Sequence, residues 1–114
     1  MQQDRKIRLN LQYYTISMRE EVLKIISKSV EEIAEEREIT QLQNVTETTP
    51  LFGAGGYLDS LGLVQLISDV EDEVSEKLNK DIVLADVLAM SAKISPFRSI
   101  ASLTDFTVKK MLDE

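Results

Sequence analysis

Apolar residues recur at helical spacing in the first third of the chain, beginning just after residue 20. The repeat is formed by Val22, Ile26, Val30 and Ile33, and Leu23 and Ile25 widen it. Ser17 and Glu20 precede it, three residues apart, as in the capping box that begins many helices. A stripe of this width is typical of a helix that packs one face on a core. The pattern predicts a helix from about Met18 to Glu36.

A second apolar stripe follows Asp59 and Ser60, either of which can cap a helix. Its inward positions are predicted to be Leu63, Ile67, Val70, Val74 and Leu78, with Val64 and Leu66 beside them. Asn79 is a plausible end, because asparagine tolerates the left-handed conformation that closes many helices.

Two further helices are predicted in the last third. A short one is expected around Leu84–Met90, and Pro96 breaks the connection after it. Ser99 can cap a last helix, whose inward residues would be Ile100, Leu103, Phe106 and Met111. The fold class is therefore all-α, a small four-helix bundle with three main helices and one short helix.

The first 17 residues follow a different pattern. Ile7, Leu9, Leu11 and Tyr13 alternate with polar residues, which is a strand-like period of two. A lone strand is marginally stable, so three interpretations stay open: a disordered leader, an edge that pairs with something else, or an extension ahead of an initiator at Met18. We favour a poorly ordered leader at 1–17, followed by one helical domain at 18–114.

The connection at 38–58 is long for a compact domain, and such loops tend to be functional. It holds glycines at 53, 55 and 56, and its apolar residues suggest that it packs on the bundle. A phosphate-binding loop is rejected because neither Lys-Ser nor Lys-Thr follows the glycines. The glycines are expected to give the turn before Ser60 an unusual backbone.

The composition of the chain disfavours several classes of function. A net charge of −7 disfavours nucleic-acid binding and suits partners that present Lys and Arg. The chain has no Cys and no His, so disulfides, thiolate metal sites and the commonest general base are absent, and no metal site is expected. No apolar run approaches membrane-spanning length, so no membrane insertion is expected and the cytoplasm is the default location.

Ser60 is the residue with the most informative surroundings. Between Arg37 and Lys77 there is no basic residue, whereas acids are frequent. The plain interpretation of Ser60 is a helix cap. The alternative is a covalent attachment site, because a phosphate near a helix N-terminus is favoured by free amides and by the helix dipole. With neither His nor Cys in the chain, another enzyme would have to activate the hydroxyl.

The residues around Ser60 resemble the acyl carrier proteins over about residues 18–112. The family's second helix opens with Asp-Ser-Leu, which stands here as Asp59-Ser60-Leu61. Phe52 resembles the family's loop phenylalanine. The helix continues with Val64 and Leu66, which match a Val-x-Leu element, and the acidic cluster that follows is Glu71, Asp72 and Glu73.

The resemblance implies 4'-phosphopantetheine attached covalently to Ser60, with acyl groups carried as thioesters in fatty-acid, polyketide or related specialised biosynthesis. The chain would be no enzyme and a monomer. Its partners would be a phosphopantetheinyl transferase and synthases with basic docking patches. The implied docking residues are Asp59, Leu61, Glu71 and Asp72. The implied acyl-pocket residues are Phe52, Leu63, Ile67, Val70 and Phe97.

Two departures from the family pattern accompany the match. The family often has acids two and five residues after the serine, where this chain has Gly62 and Gln65. Contacts near the arm are therefore expected to be less ionic, as in a specialised carrier. An acidic run on an amphipathic helix is otherwise usually just a solvated face.

Other functions stay open on the sequence. The nearest variant is a peptidyl or aminoacyl carrier. The competitor from another class is an unmodified helical protein-interaction module that keeps the fold without the arm. An enzyme is the most distant, since the chain offers few polar residues suited to catalysis.

Overall fold

The computed structural model describes the backbone of residues 2–85 and 95–113 and the side chains of residues 13–85 and 95–113. Within these ranges the fold is helical. The α-helices are α1 (Gln2–Arg37), α2 (Ser60–Leu78) and α3 (Ile100–Asp113), and 3₁₀ turns lie at Thr40–Leu42 and Pro96–Arg98. The predicted short helix at 84–90 falls mostly outside the described residues.

Helix α1 begins earlier than the sequence pattern predicts. It starts at Gln2, so Ser17 lies inside the helix and the predicted start at Met18 is wrong. The reason lies in the pattern, because Ile7, Leu11, Tyr14 and Met18 also stand four, three and four residues apart. The division into a leader and a domain at residue 17 stays a prediction.

Helices α2 and α3 follow their sequence signals. Asp59 is the N-cap of α2, and Asn79 closes it with a left-handed φ of 54°. At α3, the Ser99 hydroxyl accepts a hydrogen bond from the Ser102 amide at 3.1 Å, so the predicted serine cap is confirmed. The predicted second and last helices are both present within these bounds.

The core lies between α1 and the two other helices, and both α2 and α3 pack against α1. Most predicted inward positions are buried. Three are only partly buried, Leu23, Leu78 and Phe106. Val64 is exposed, so its predicted place beside the inward stripe of α2 is wrong. The fully buried side chains include Ile26, Ile33, Leu42, Leu51, Leu66, Phe97, Ile100 and Leu103.

The connection between α1 and α2 is packed on the bundle, as expected. Leu42, Leu51 and Leu58 are buried. The amide of Leu51 donates to the carbonyl of Arg98 at 2.8 Å, and the amide of Phe52 donates to the carbonyl of Phe97 at 3.1 Å. The loop is thus fixed to the segment that leads into α3, which holds the start of α2 against the rest of the fold.

Replacement of Leu66 by alanine tests this core. Leu66 is fully buried, so the change is expected to lower the free energy of unfolding by about 2–5 kcal/mol. Leu61→Ala on the same helix is the matched control, because Leu61 is 68% exposed and should change stability by less than about 0.5 kcal/mol. Urea unfolding followed by far-UV circular dichroism measures both, and equal losses would contradict the assigned burial.

Removal of residues 1–17 tests whether they contribute to the stability of the bundle. Tyr13, Tyr14 and Ile16 are largely exposed, so little apolar burial is lost with them. A chain beginning at Met18 is expected to keep its melting temperature to within about 4 °C, which corresponds to less than 1 kcal/mol. A larger drop in the thermal melt would mean that this part of α1 packs on the bundle.

Candidate functional site

The candidate site lies at the start of α2, where the loop ends. Asp59 precedes the helix with extended backbone, and its Oδ1 accepts a hydrogen bond from the Gly62 amide at 2.7 Å. Ser60 is the first residue of the helix. Asp59 is therefore the N-cap residue of α2, and the Ser60 hydroxyl takes no part in the capping bond.

The turns of the loop that precedes Asp59 depend on its glycines. Gly53 and Gly55 have positive φ values of 96° and 78°, which side-chain-bearing residues rarely adopt. A Cβ on Gly56 would stand 2.6 Å from the carbonyl oxygen of Leu51. That oxygen accepts hydrogen bonds from the amides of Tyr57 and Leu58, at 3.0 and 2.8 Å. The expected unusual backbone before Ser60 is confirmed.

Ser60 is exposed, and within the described residues its hydroxyl has no hydrogen-bond partner. No His or Cys exists in the chain to take its proton. A hydroxyl in this position suits modification by an external enzyme better than nucleophilic attack of its own. A phosphate bonded to it would lie by the N-terminus of α2, whose dipole favours an anion.

Apolar side chains are exposed around the same helix start. Leu61, a predicted docking residue, is joined by Val64 and by Tyr57 from the loop. Residues 61–68 carry no charge, so the first acid within α2 is Asp69. The part of α2 that follows Ser60 therefore exposes apolar side chains and carries no charge before Asp69.

The predicted docking acids differ in their contacts. Glu71 accepts hydrogen bonds from the amides of Leu84, at 2.6 Å, and Ala85, at 3.3 Å, so this carboxylate holds the segment after α2 in place. Asp72 is exposed. Its neighbour Glu73 pairs with Lys77 at 2.8 Å, and this bond lowers the pKa of Glu73 and raises that of Lys77.

The predicted acyl-pocket residues are brought together as part of the core. Leu63, Ile67, Val70 and Phe97 are buried, and Phe52 is partly buried against the same cluster. Their role towards an acyl chain stays a prediction.

Sequence reasoning missed an acidic cleft between α1 and α2. The cleft has a volume of about 640 Å³ and is lined by Glu32, Ile33, Glu35, Glu36, Gln65 and Asp69. Partial burial raises the pKa of Asp69, and the negative charges of Asp72 and Glu32 raise it further. The sequence signal was the helical spacing of the three glutamates, which places them on the same face of α1.

Arg37 was also missed as a site residue. Its Nη1 stands 3.3 Å from Asp59 Oδ1, and its Nη2 donates to Gln65 Oε1 at 3.1 Å. The last residue of α1 thus contacts the first turns of α2. In the part of the chain that the structure describes, no group of His, Cys, Asp or Glu could hold a metal ion, and no helix is long and apolar enough to cross a membrane.

The raised pKa of Asp69 has a consequence for stability. The folded state holds this proton more tightly than the unfolded state, so the ionised carboxylate destabilises the fold as pH rises through the folded pKa. Asp69→Asn is therefore expected to increase the free energy of unfolding at pH 7. The increase should shrink as pH falls towards the ordinary carboxyl range of about 4.

Urea unfolding at a series of pH values measures this difference. Glu20→Gln is the control, because Glu20 is exposed and lies on α1 about 18 Å along the helix from Glu32. A pH-independent difference between Asp69→Asn and the unaltered chain would contradict the electrostatic explanation.

The chain was also compared with known proteins. No protein-family model, no curated protein and no solved structure matches it.

Proposed function

We propose that this chain is an acyl carrier protein of specialised biosynthesis and that Ser60 is the attachment point of 4'-phosphopantetheine. The observation that carries the proposal is the position of the Ser60 hydroxyl. Ser60 is exposed as the first residue of α2. The hydrogen bond that caps the helix is accepted by Asp59, so the Ser60 hydroxyl is not used for capping. The Asp59-Ser60-Leu61 sequence that resembles the family thus stands at a helix start, where the family's motif requires it.

The residues at this position fit the group. The N-terminus of α2 offers a favourable field for the phosphodiester, and the exposed side chain leaves room for a transferase to approach. In the loading step, Ser60 Oγ would attack the phosphorus of a phosphopantetheine donor such as coenzyme A, the phosphoanhydride bond of the donor would break, and adenosine 3',5'-bisphosphate would leave. The Ser60 proton would pass to a base of the transferase, because the chain has no His to accept it. When bound, the arm supplies a terminal thiol that carries the acyl group as a thioester.

The remaining residues serve recognition in this proposal. Leu61 and Val64 are exposed apolar side chains on the first turns of α2, which an enzyme reaching for Ser60 would contact. The buried residues Leu63, Ile67, Val70 and Phe97, with the partly buried Phe52, would shelter an acyl chain. The short helix predicted around 84–90, most of which lies outside the described residues, would be the fourth helix of the proposed carrier fold.

Coexpression with a broad-specificity phosphopantetheinyl transferase tests the proposal. The intact mass of the purified chain is expected to rise by one phosphopantetheine arm. Ser60→Ala should abolish the increase. Ser68→Ala, which alters another exposed serine of α2, should leave it unchanged and is the matched control.

The same measurement distinguishes a carrier from the competing function, an unmodified helical interaction module. A wild-type mass that does not increase, with the chain folded by circular dichroism, would favour an unmodified helical interaction module. A mass increase that persists in Ser60→Ala would place the attachment at another residue and would contradict the assignment of Ser60.

A further inference from the structure

The charge beside Ser60 is set by a residue from another helix. Arg37 contacts two residues near the start of α2, with 3.3 Å between its Nη1 and Asp59 Oδ1 and 3.1 Å between its Nη2 and Gln65 Oε1. Gly62 lies between them, and a Cβ built there would be 3.6 Å from Nη1. These positions, 59, 62 and 65, are three residues apart and therefore follow one side of the helix. The guanidinium group lies along that side.

The position of Arg37 is fixed by its surroundings. Arg37 is the last residue of α1, because Glu38 adopts a left-handed φ of 58° and ends the helix. Gln65, which accepts from Arg37, also donates to Glu36 Oε2 at 3.0 Å. The Arg37 side chain is only 28% exposed, whereas that of Asp59 is 72% exposed. The cation is therefore held at the surface of α2 by both of its neighbours.

The pairing changes the electrostatic character of the helix start. In the sequence, Asp59 is the acid adjacent to Ser60, and the next acid towards the C-terminus is Asp69. In the structure, the charge of Asp59 is offset by Arg37. Asp69 and Asp72 form no ion pair within the described residues, so the free negative charge of α2 begins well beyond Ser60.

We propose that Arg37 is a specificity-determining residue of the surface around Ser60. By pairing with Asp59, it offsets the charge of the only acid at the start of α2, whereas Glu36, which accepts a hydrogen bond from Gln65, contributes its carboxylate from α1. This inference rests on the proposed attachment at Ser60. A loading enzyme then recognises this end through Leu61 and Val64, and it meets the unpaired acids of α2 only further along the helix. A fitting partner therefore presents an apolar surface beside its reactive centre.

The helix geometry also predicts where the partner's basic residues lie. Asp69 and Asp72 lie nine and twelve residues after Ser60, which is about 14 and 18 Å along the helix axis. The partner's basic residues should therefore lie about that far from its apolar contact. Apolar contacts depend little on salt, whereas exposed ionic contacts are screened by it.

Binding of a broad-specificity transferase with a basic docking surface tests the inference. The Kd of the unloaded chain is measured at several ionic strengths, together with loading kinetics by intact mass. Arg37→Gln leaves Asp59 unpaired, so its affinity at low salt is expected to rise about two- to five-fold, as one exposed ion pair allows. The gain should appear in KM with kcat unchanged, and it should disappear at high salt.

Two variants control for other causes. Arg37→Lys keeps the charge, so it should bind with nearly the affinity and salt dependence of the unaltered chain. Arg19→Gln removes an arginine that pairs with Glu47 and Asp105, which changes the net charge by the same amount at another surface. It should leave the Kd close to that of the unaltered chain. Thermal melts of each variant establish that the fold is intact.

The outcomes separate this inference from the proposed function. If the unaltered chain gains no arm, both fail. If it is loaded at Ser60 but Arg37→Gln shows the same Kd and the same salt dependence, only the role of Arg37 is overturned. An effect of Arg19→Gln as large as that of Arg37→Gln would overturn it as well, because net charge alone would then explain the change.

Discussion

The carboxylate of Asp59 is the group on which the candidate site depends. Its Oδ1 accepts the Gly62 amide at 2.7 Å and stands 3.3 Å from Arg37 Nη1, so it caps α2 and joins the helix to the end of α1. Because Asp59 takes the cap, Ser60 becomes the first helical residue with an exposed hydroxyl. The same carboxylate thus fixes where the helix begins, which hydroxyl is accessible and what charge surrounds it.

Helix α2 distributes its side chains unevenly along its length. Its first turns expose Leu61 and Val64 and carry no free charge, whereas its second half exposes Asp72 in an acidic surrounding. Glu71 is used internally, because it accepts the amides of Leu84 and Ala85 and holds the chain that leaves the helix. A carrier built in this way would separate recognition at the arm, through apolar contacts, from electrostatic attraction at a distance.

The boundaries of α2 and the start of α3 were predictable because their causes are local. A cap acts on an amide two or three residues away, as Asp59 and Ser99 do here, and Asn79 ends its helix through its own backbone conformation. The start of α1 was not predictable in this way. Residues 7–18 fit both a period of two and a helical period, so periodicity alone did not distinguish a strand from a helix.

The sequence by itself determined the helical class of the fold, the place of Ser60 at a helix start and the glycine-dependent turn before it. Only the tertiary structure decided the charge at that place. Arg37 and Asp59 are 22 residues apart, and their contact exists because α1 and α2 pack together. The acidic cleft has the same origin, since Asp69 meets Glu32 and Glu36 across two helices. Local signals reach about one helical turn, whereas these contacts depend on how whole helices are placed.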